Sequence, residues 1–365
     1  MERRFFMSLA WKELKYNRKK YLLIELIVVL MMFMVLFLSG LVQGLGRAVS
    51  SGIDNMPADN FILSDDAEKL ITVSNLTAEE DKAIQDAYGK KASPIDISRM
   101  YLENDDNEKI DVTYFAIDPS SFLNVDVYKG NRLNSKADTV VLDDDYESKG
   151  IRLNDTIRDA GSGTELKVVG FTRDAMYGHI SAAYISTDTY TTIMKKNNPM
   201  AGNTVHAYAI KGSAKQTIEG TKTYSKEEII DALPGYQAEQ MTITMVEWLL
   251  VVITAFIIGI FFFIINLQKE KEFGVLKAIG TGMSRLVGFI LSQVFLISAG
   301  GALIAWLLVL IMSRALPSTM PFFLVPSQVL SVLAAFILIS IVGSLATIVR
   351  VSKIDPARII GGDFE

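Results

Sequence analysis

The chain has 365 residues, 50% of them apolar, with 36 Lys and Arg against 41 Asp and Glu and a net charge of −5. That balance argues against nucleic acid as a partner. The absence of cysteine excludes disulfides, CxxC redox chemistry and thiolate metal sites. The charge is unevenly spread: Arg47 to Thr244 holds 21 Lys and Arg against 32 Asp and Glu, and the remainder holds 15 against 9.

Met1–Lys20 reads as a helix lying in the inner membrane interface, with Phe5, Phe6, Leu9, Ala10 and Leu14 at helical spacing and basic residues opposite. The alternative is a positively charged flank that only sets topology. Four apolar stretches follow along the chain, Tyr21–Leu41, Trp248–Leu267, Leu286–Met312 and Gln328–Val349. Each is long enough to cross a hydrocarbon core of roughly 30 Å as a helix. The first is longer than a signal-peptide core and lacks a good cleavage pattern, so it reads as a retained anchor. Within it, Glu25 either snorkels to the inner interface or pairs with Gln293 or Ser292 of the third stretch. Gly40 and Gly44 form a GxxxG, which fits close approach of a second helix, and so a dimer interface, or simply a helix end.

About two hundred polar, turn-rich residues separate the first stretch from the second. Thr77–Glu80 and Ser225–Glu228 are capping boxes that open helices toward Tyr88 and Leu233. Between them Ile110–Ile117, Thr139–Leu142, Leu166–Phe171, Ser181–Ser186 and Thr204–Ile210 read as strands. The acidic runs Asp143–Asp145 and Asp105-Asp106 lack EF-hand spacing and read as solvated turns.

Lysine and arginine set the expected sidedness. They cluster before the first stretch, between the second and third, and after the fourth, and short basic segments stay in the cytoplasm. The fold class expected is an α-helical membrane protein with four transmembrane helices and an α+β extracytoplasmic domain inserted between helices 1 and 2. Both termini are then cytoplasmic and the large domain extracellular. The expected bounds are a cytoplasmic amphipathic helix 1–20, a first span 21–46, the exported domain 47–244 and a second span 245–267. A cytoplasmic coupling segment 268–285, a third span 286–312, an external turn 313–327, a fourth span 328–350 and a tail 351–365 complete the chain.

No phosphate-cradling P-loop occurs, so the chain carries no ATP site of its own. His179 and His206 do not form a metal-binding pair and no nucleophile elbow is present, so a hydrolytic enzyme is not expected. The segment Gln268–Gly280 reads QKEKEFGVLKAIG, a short amphipathic helix with Phe273, Leu276 and Ile279 on one face and Gly280 as its C′ cap. A linker between two spans needs no such element, whereas a docking site for a cytosolic partner does.

This combination resembles the FtsX/MacB-type family of ABC transporter permeases. That family shares four spans, a large exported domain after the first, and an E-[FI]-G-[IVL]-[LM]-K-A-[IL]-G motif, matched here at Glu272–Gly280; Lys353–Ala357 resembles its closing DP motif. The resemblance implies a separate ABC ATPase subunit in two copies, a permease homodimer, and ATPase coupling through Glu272, Phe273, Gly274, Leu276, Lys277 and Ile279. Leu36–Gly46, Asp174–His179, Gly235–Gln240, Thr319–Leu324 and Ile360–Gly362 are similar to the HrtB-type permeases, which export heme from Gram-positive bacteria. By that resemblance heme is the transported ligand, and Tyr177 and Tyr236 match tyrosines implicated in handling it.

The residues themselves are compatible with heme, a flat apolar ring whose iron accepts His, Met or Tyr. Tyr236 and Glu239 stand just before the second span, and Met31, Met32, Met34, Phe33 and Phe37 line the first. The bland alternative is packing for the methionines and phenylalanines and interfacial anchoring for the tyrosine. Two other functions share the architecture: a regulatory permease controlling an extracellular enzyme or sensor, and an exporter of peptide, antibiotic or lipid-linked cargo.

Overall fold

The computed structural model describes residues 12, 13, 15, 16, 18–104, 108–136, 138–198, 205–214, 216–316, 320–344, 348 and 349. Most of the N-terminal segment expected to be an interfacial helix, the tail 351–365 with Lys353–Ala357, and Asp105-Asp106 lie outside the described residues. The chain forms two compact units. One comprises residues up to Gln43 together with Thr242–Pro317 and the chain from Phe322; the other is Gly44–Met241 with Ser318–Pro321.

The first long helix, α1 (Arg18–Asp54), contributes to both units. At a rise of 1.5 Å per residue its 37 residues measure about 55 Å, well beyond a bilayer core.

After α1 the exported unit begins with β1 (Asn60–Ser64), α2 (Ala78–Tyr88), β2 (Ala92–Glu103) and β3 (Lys109–Ile117). Next come β4 (Lys129–Gly130), β5 (Thr139–Asp143), α3 (Asp145–Ser148), β6 (Thr156–Asp159) and β7 (Glu165–Thr172). The remainder is β8 (Met176–Tyr177), β9 (Ile180–Ser186), α4 (Thr187–Asn197), β10 (Ala207–Ile210), β11 (Thr221–Ser225) and α5 (Lys226–Asp231). One mixed sheet runs in the order β11-β1-β10-β2-β3-β9-β5-β7-β4, with β6 beside β2 and β7, and β8 paired to β9. The β3–β9 and β5–β7 pairs are parallel and the rest antiparallel. Side chains of β3 alternate between two cores, Phe115 and Ile117 on one face and Val112, Tyr114 and Ala116 on the other. A strand covered on both faces suits the parallel pairing it makes.

Both capping boxes form. Thr77 accepts from Glu80 N and Ser225 from Glu228 N, while each glutamate returns a bond to the cap backbone. The longest strand, β2, is absent from the sequence expectation because Ser93-Pro94 and the charges Asp96 and Arg99 read as a break. Pro94 nevertheless sits in register opposite Tyr208. Asp143 corrects a second expectation. It is not a solvated turn residue but 3% exposed, its carboxylate accepting from Ala175 N at 2.8 Å and Asp145 N at 3.1 Å.

The helical unit adds α6 (Tyr236–Gln268), α7 (Glu270–Ala278), α8 (Met283–Ala315) and α9 (Pro326–Gly343). With α1, the helices α6, α8 and α9 are long and apolar enough to cross a membrane. The chain is an α-helical membrane protein with the α+β domain inserted between the first two of these helices. Tyr21, Ile24, Val28, Met32 and Leu36 of α1 recur every three or four residues and pack with Leu286, Ile290, Val294 and Ile297 of α8. The two helices approach where α8 has no side chain: a Cβ at Gly301 would lie 2.5 Å from Val28 Cγ1. Glu25 does not pair with Gln293, whose amide goes to Glu13, nor with Ser292, whose hydroxyl bonds Gly288 O. Its carboxylate lies instead against Gly300 and Gly301.

Candidate functional site

In the exported unit, Tyr177 and His179 of the β8–β9 hairpin and Tyr236 and Glu239 at the start of α6 come from two chain segments that meet at the outer end of α1. β8 and β9 form a two-residue hairpin whose turn residues, Gly178 and His179, both have positive φ (57° and 65°), the geometry of a type I′ turn. The turn is fastened to α1: Gly178 N donates to Val49 O and His179 N to Ala48 O, each at 2.9 Å. Arg47 pairs with Asp174 just ahead of the hairpin, and Asn55 Nδ2 donates to Asp174 O at 2.6 Å.

That anchoring presents His179 to Glu239, with Nε2 at 3.2 Å from Oε1, and both side chains are partly exposed. Tyr236 begins α6 and its hydroxyl meets Ser50. Tyr177 packs edge-on against Phe115 with ring centroids 5.9 Å apart. Burial pushes its phenol up to about 12 against a weaker opposing hydrogen bond from Thr72, so it stays neutral near pH 7. The arrangement offers an imidazole, a carboxylate and a phenol within one small region, a mixed nitrogen and oxygen donor set.

Met31, Met32 and Phe37 belong to the helical unit. Met32 is fully buried and lines a cleft of about 250 Å³ with Val35, the α6 residues Glu247, Trp248 and Thr254, and Phe336 of α9. That volume falls just below the usual ~300–1,000 Å³ of small-molecule sites, so the cleft of one chain is too small to enclose a large ligand. Glu247 was not singled out from the sequence. Its signal is an acid within the apolar helix that follows Met245, and such a group is costly unless it faces other polar groups or water. Met31 and Phe37 do not line the cleft. Phe37 instead stacks with Phe33 and Phe322, at 5.8 and 5.4 Å between centroids.

Phe322 also decides the role of Gly40, because a Cβ there would lie 2.4 Å from its ring. The expected docking face for a second helix is thus filled at Gly40 by the chain's own phenylalanine, and Gly44 is buried within the chain.

Helix α7 ends as its sequence predicts. Gly280 has φ 91°, Thr281 N donates to Leu276 O at 2.9 Å and Gly280 N to Lys277 O at 3.0 Å, a Schellman cap. Its apolar residues split in direction. Phe273 is 1% exposed and lies in the helical core, Leu276 packs against that core, and Gly274 is buried. Ile279 is 73% and Val275 52% exposed, one turn apart on the free side, with Glu272 also exposed and Lys277 half-buried. The inner face holds the helix in place and the outer face is available to a partner.

Lys269, which precedes α7, is 4% exposed among polar groups that no local pattern links. Its ammonium pairs with Glu13 and donates to Tyr21 Oη at 2.5 Å. Tyr21 Oη donates to Glu13 Oε1 at 3.1 Å, and Gln293 Nε2 donates to Glu13 Oε2 at 2.6 Å.

Comparison with known proteins places this geometry. Residues 22–222 match the MacB-like periplasmic core domain and residues 244–356 the FtsX-like permease C-terminal domain. A Staphylococcus haemolyticus protein named for hemin transport, the permease HrtB, is 31% identical over 356 residues, covering 98% of this chain and 99% of its own. An uncharacterized ABC transporter permease of Mycobacterium tuberculosis is 24% identical over 351 residues, covering 94% and 97%. Among solved structures, the periplasmic region of MacB from Actinobacillus actinomycetemcomitans aligns at 14% identity and a TM-score of 0.36, covering 50% of this chain and 92% of that one. Two domain matches in the right order and a full-length relative lead to one conclusion: the chain belongs to the FtsX/MacB-type family of ABC transporter permeases, whose members are transport subunits and not enzymes.

Proposed function

We propose that this permease exports heme across the cell membrane of a Gram-positive bacterium, as a homodimer driven by two copies of a separate ABC ATPase. On this reading both termini lie in the cytoplasm and the sheet domain outside, which the positions of the basic segments support. The observation that carries the reading is the meeting of Tyr177, His179, Tyr236 and Glu239 beside the end of α1, a set of nitrogen and oxygen donors suited to ferric iron. Full-length likeness to a permease named for hemin transport supports it.

In this mechanism the Met32–Trp248 cleft takes the apolar ring from the membrane. Two clefts, one from each copy, supply the volume that one lacks. Glu239 and Tyr236 receive the iron on the outer side, with His179 holding the Glu239 carboxylate in position. ATP-driven closure of the ATPases presses on Val275 and Ile279, and Phe273 passes the force into the helical core.

Titrating purified permease with hemin tests the assignment. A shifted Soret band is expected for the unaltered chain, and Tyr236→Ala or Glu239→Ala should weaken binding about tenfold or more, roughly 1.4 kcal/mol. An unshifted band, or binding indifferent to both substitutions, would sink it.

A further inference from the structure

The buried cluster of Glu13, Tyr21, Lys269 and Gln293 joins four separate pieces of chain: the N-terminal segment, α1, the residue that opens α7, and α8. Burying an ion pair gains little stability, because desolvating both charges offsets their attraction. What such a pair does supply is a fixed relative placement, since removing one partner strands the other charge. The placement here is specific. Lys269 O accepts the α7 bond from Phe273 N at 3.0 Å, so holding Lys269 fixes where α7 starts and which way its outer face points.

We propose that Lys269 and Glu13 are positioning residues that form a rigid joint, transmitting movement of α7 to α1 and α8. The proposal rests on the reading of α7 as the ATPase-coupling helix. Apolar contact through Phe273 and Leu276 is non-directional and tolerates small rotations of α7 about its own axis. A bidentate Glu13, bonded through one oxygen to Tyr21 and Lys269 and through the other to Gln293, removes that freedom. Tyr21 and Gln293 can each donate or accept. The cluster can therefore host the charges exchanged, which yields a rescue test that a merely structural role would not pass.

The test uses full-length permease reconstituted in nanodiscs with its cognate ABC ATPase. A bimane label on Lys222→Cys reports ATP-dependent movement of the exported domain, and labelling is specific because the chain has no native cysteine. Lys269→Met is expected to keep ATP turnover within about twofold while the ATP-dependent signal falls at least fivefold. Lys269→Arg and the exchange Glu13→Lys with Lys269→Glu should restore at least half of it. An unchanged ratio of signal to turnover in Lys269→Met overturns the joint, as does an exchange variant that folds and binds the ATPase yet shows no recovery. Ile279→Glu serves as the separate check on α7: it should abolish ATPase association, and if association survives, the coupling reading fails whatever Lys269 does.

Discussion

Helices α6 and α8 have the same length, 33 residues, and both are apolar enough to cross a membrane, yet they are used differently. Within one chain 39% of the most apolar part of α8 is covered, against 6% for α6. Hydropathy does not separate them; side-chain size does. α8 carries Ser298, Gly300, Gly301, Ala302 and Ala305 in succession, which lets Val28 and Glu25 of α1 come close. α6 presents Met245, Leu249, Val252 and Phe256 outward, exposed among the described residues. In lipid such a face is no liability, and under the homodimer proposed above it is the surface that a second copy would cover.

The contrast can be broken most severely at Gly301. Gly301→Val would put an isopropyl group where Val28 already stands, and overpacking of this kind costs about 1–3 kcal/mol or more where neighbours are stiff. Thermal denaturation in detergent should show a clear loss of midpoint, and Gly301→Ala a smaller one.

The exported unit offers a second contrast, since it buries Asp143 against backbone amides, whereas the Glu13 carboxylate of the helical unit is paired with Lys269. Burial, only partly offset by the amides of Ala175 and Asp145, pushes Asp143 up to about 7 from an ordinary 3.8. The folded state then keeps a proton that the unfolded chain has released. The contribution is therefore full below about pH 4 and is lost as pH rises through about 7. Denaturant midpoints for unaltered protein relative to Asp143→Asn should decline from pH 5 to pH 8, and a flat difference would contradict it.

On α6 itself, Phe256→Ala and Leu249→Ala should leave the midpoint of the single chain within about 0.5 kcal/mol, as expected for largely exposed side chains, while lowering the dimer fraction seen by native mass spectrometry. The smallest effect is expected at Gly259. A Cβ there meets Gly343 Cα at an ordinary 3.7 Å, so Gly259→Ala should be neutral or slightly stabilising, by up to ~1 kcal/mol of helix propensity.

Much of the fold was legible because its signals are local. Apolar length marked the four helices, and the two capping boxes and Gly280 marked helix ends that the backbone forms. β2 was hidden because its proline and charges look like a break until β10 and β3 are seen on either side. The candidate site was legible in part. Tyr177 and Tyr236 stood out by resemblance, but His179 reaching Glu239 depends on a turn fastened to α1, a contact 60 residues apart in sequence. Glu13 and Lys269 were invisible as a pair for the same reason, and Phe37 and Gly40 read as candidates for a heme slot and a dimer interface until Phe322 was seen against both.

The place of β1 in the sheet bears on how the protein is made. β1 directly follows α1 in the chain, yet its two neighbours are β10 and β11, with Asn60 opposite Ser225. About 150 residues must therefore be synthesised and exported before β1 has its first partner, some 10–30 s at ordinary elongation rates. During that interval a strand with both edges bare hangs beside a membrane-inserted helix, a species prone to wrong pairing. Closure comes when β11 arrives, only 11 residues before α6 begins at Tyr236. Insertion of the second membrane helix and completion of the sheet are thus nearly simultaneous. A chaperone acting on this permease outside the membrane would have its substrate in the window between them.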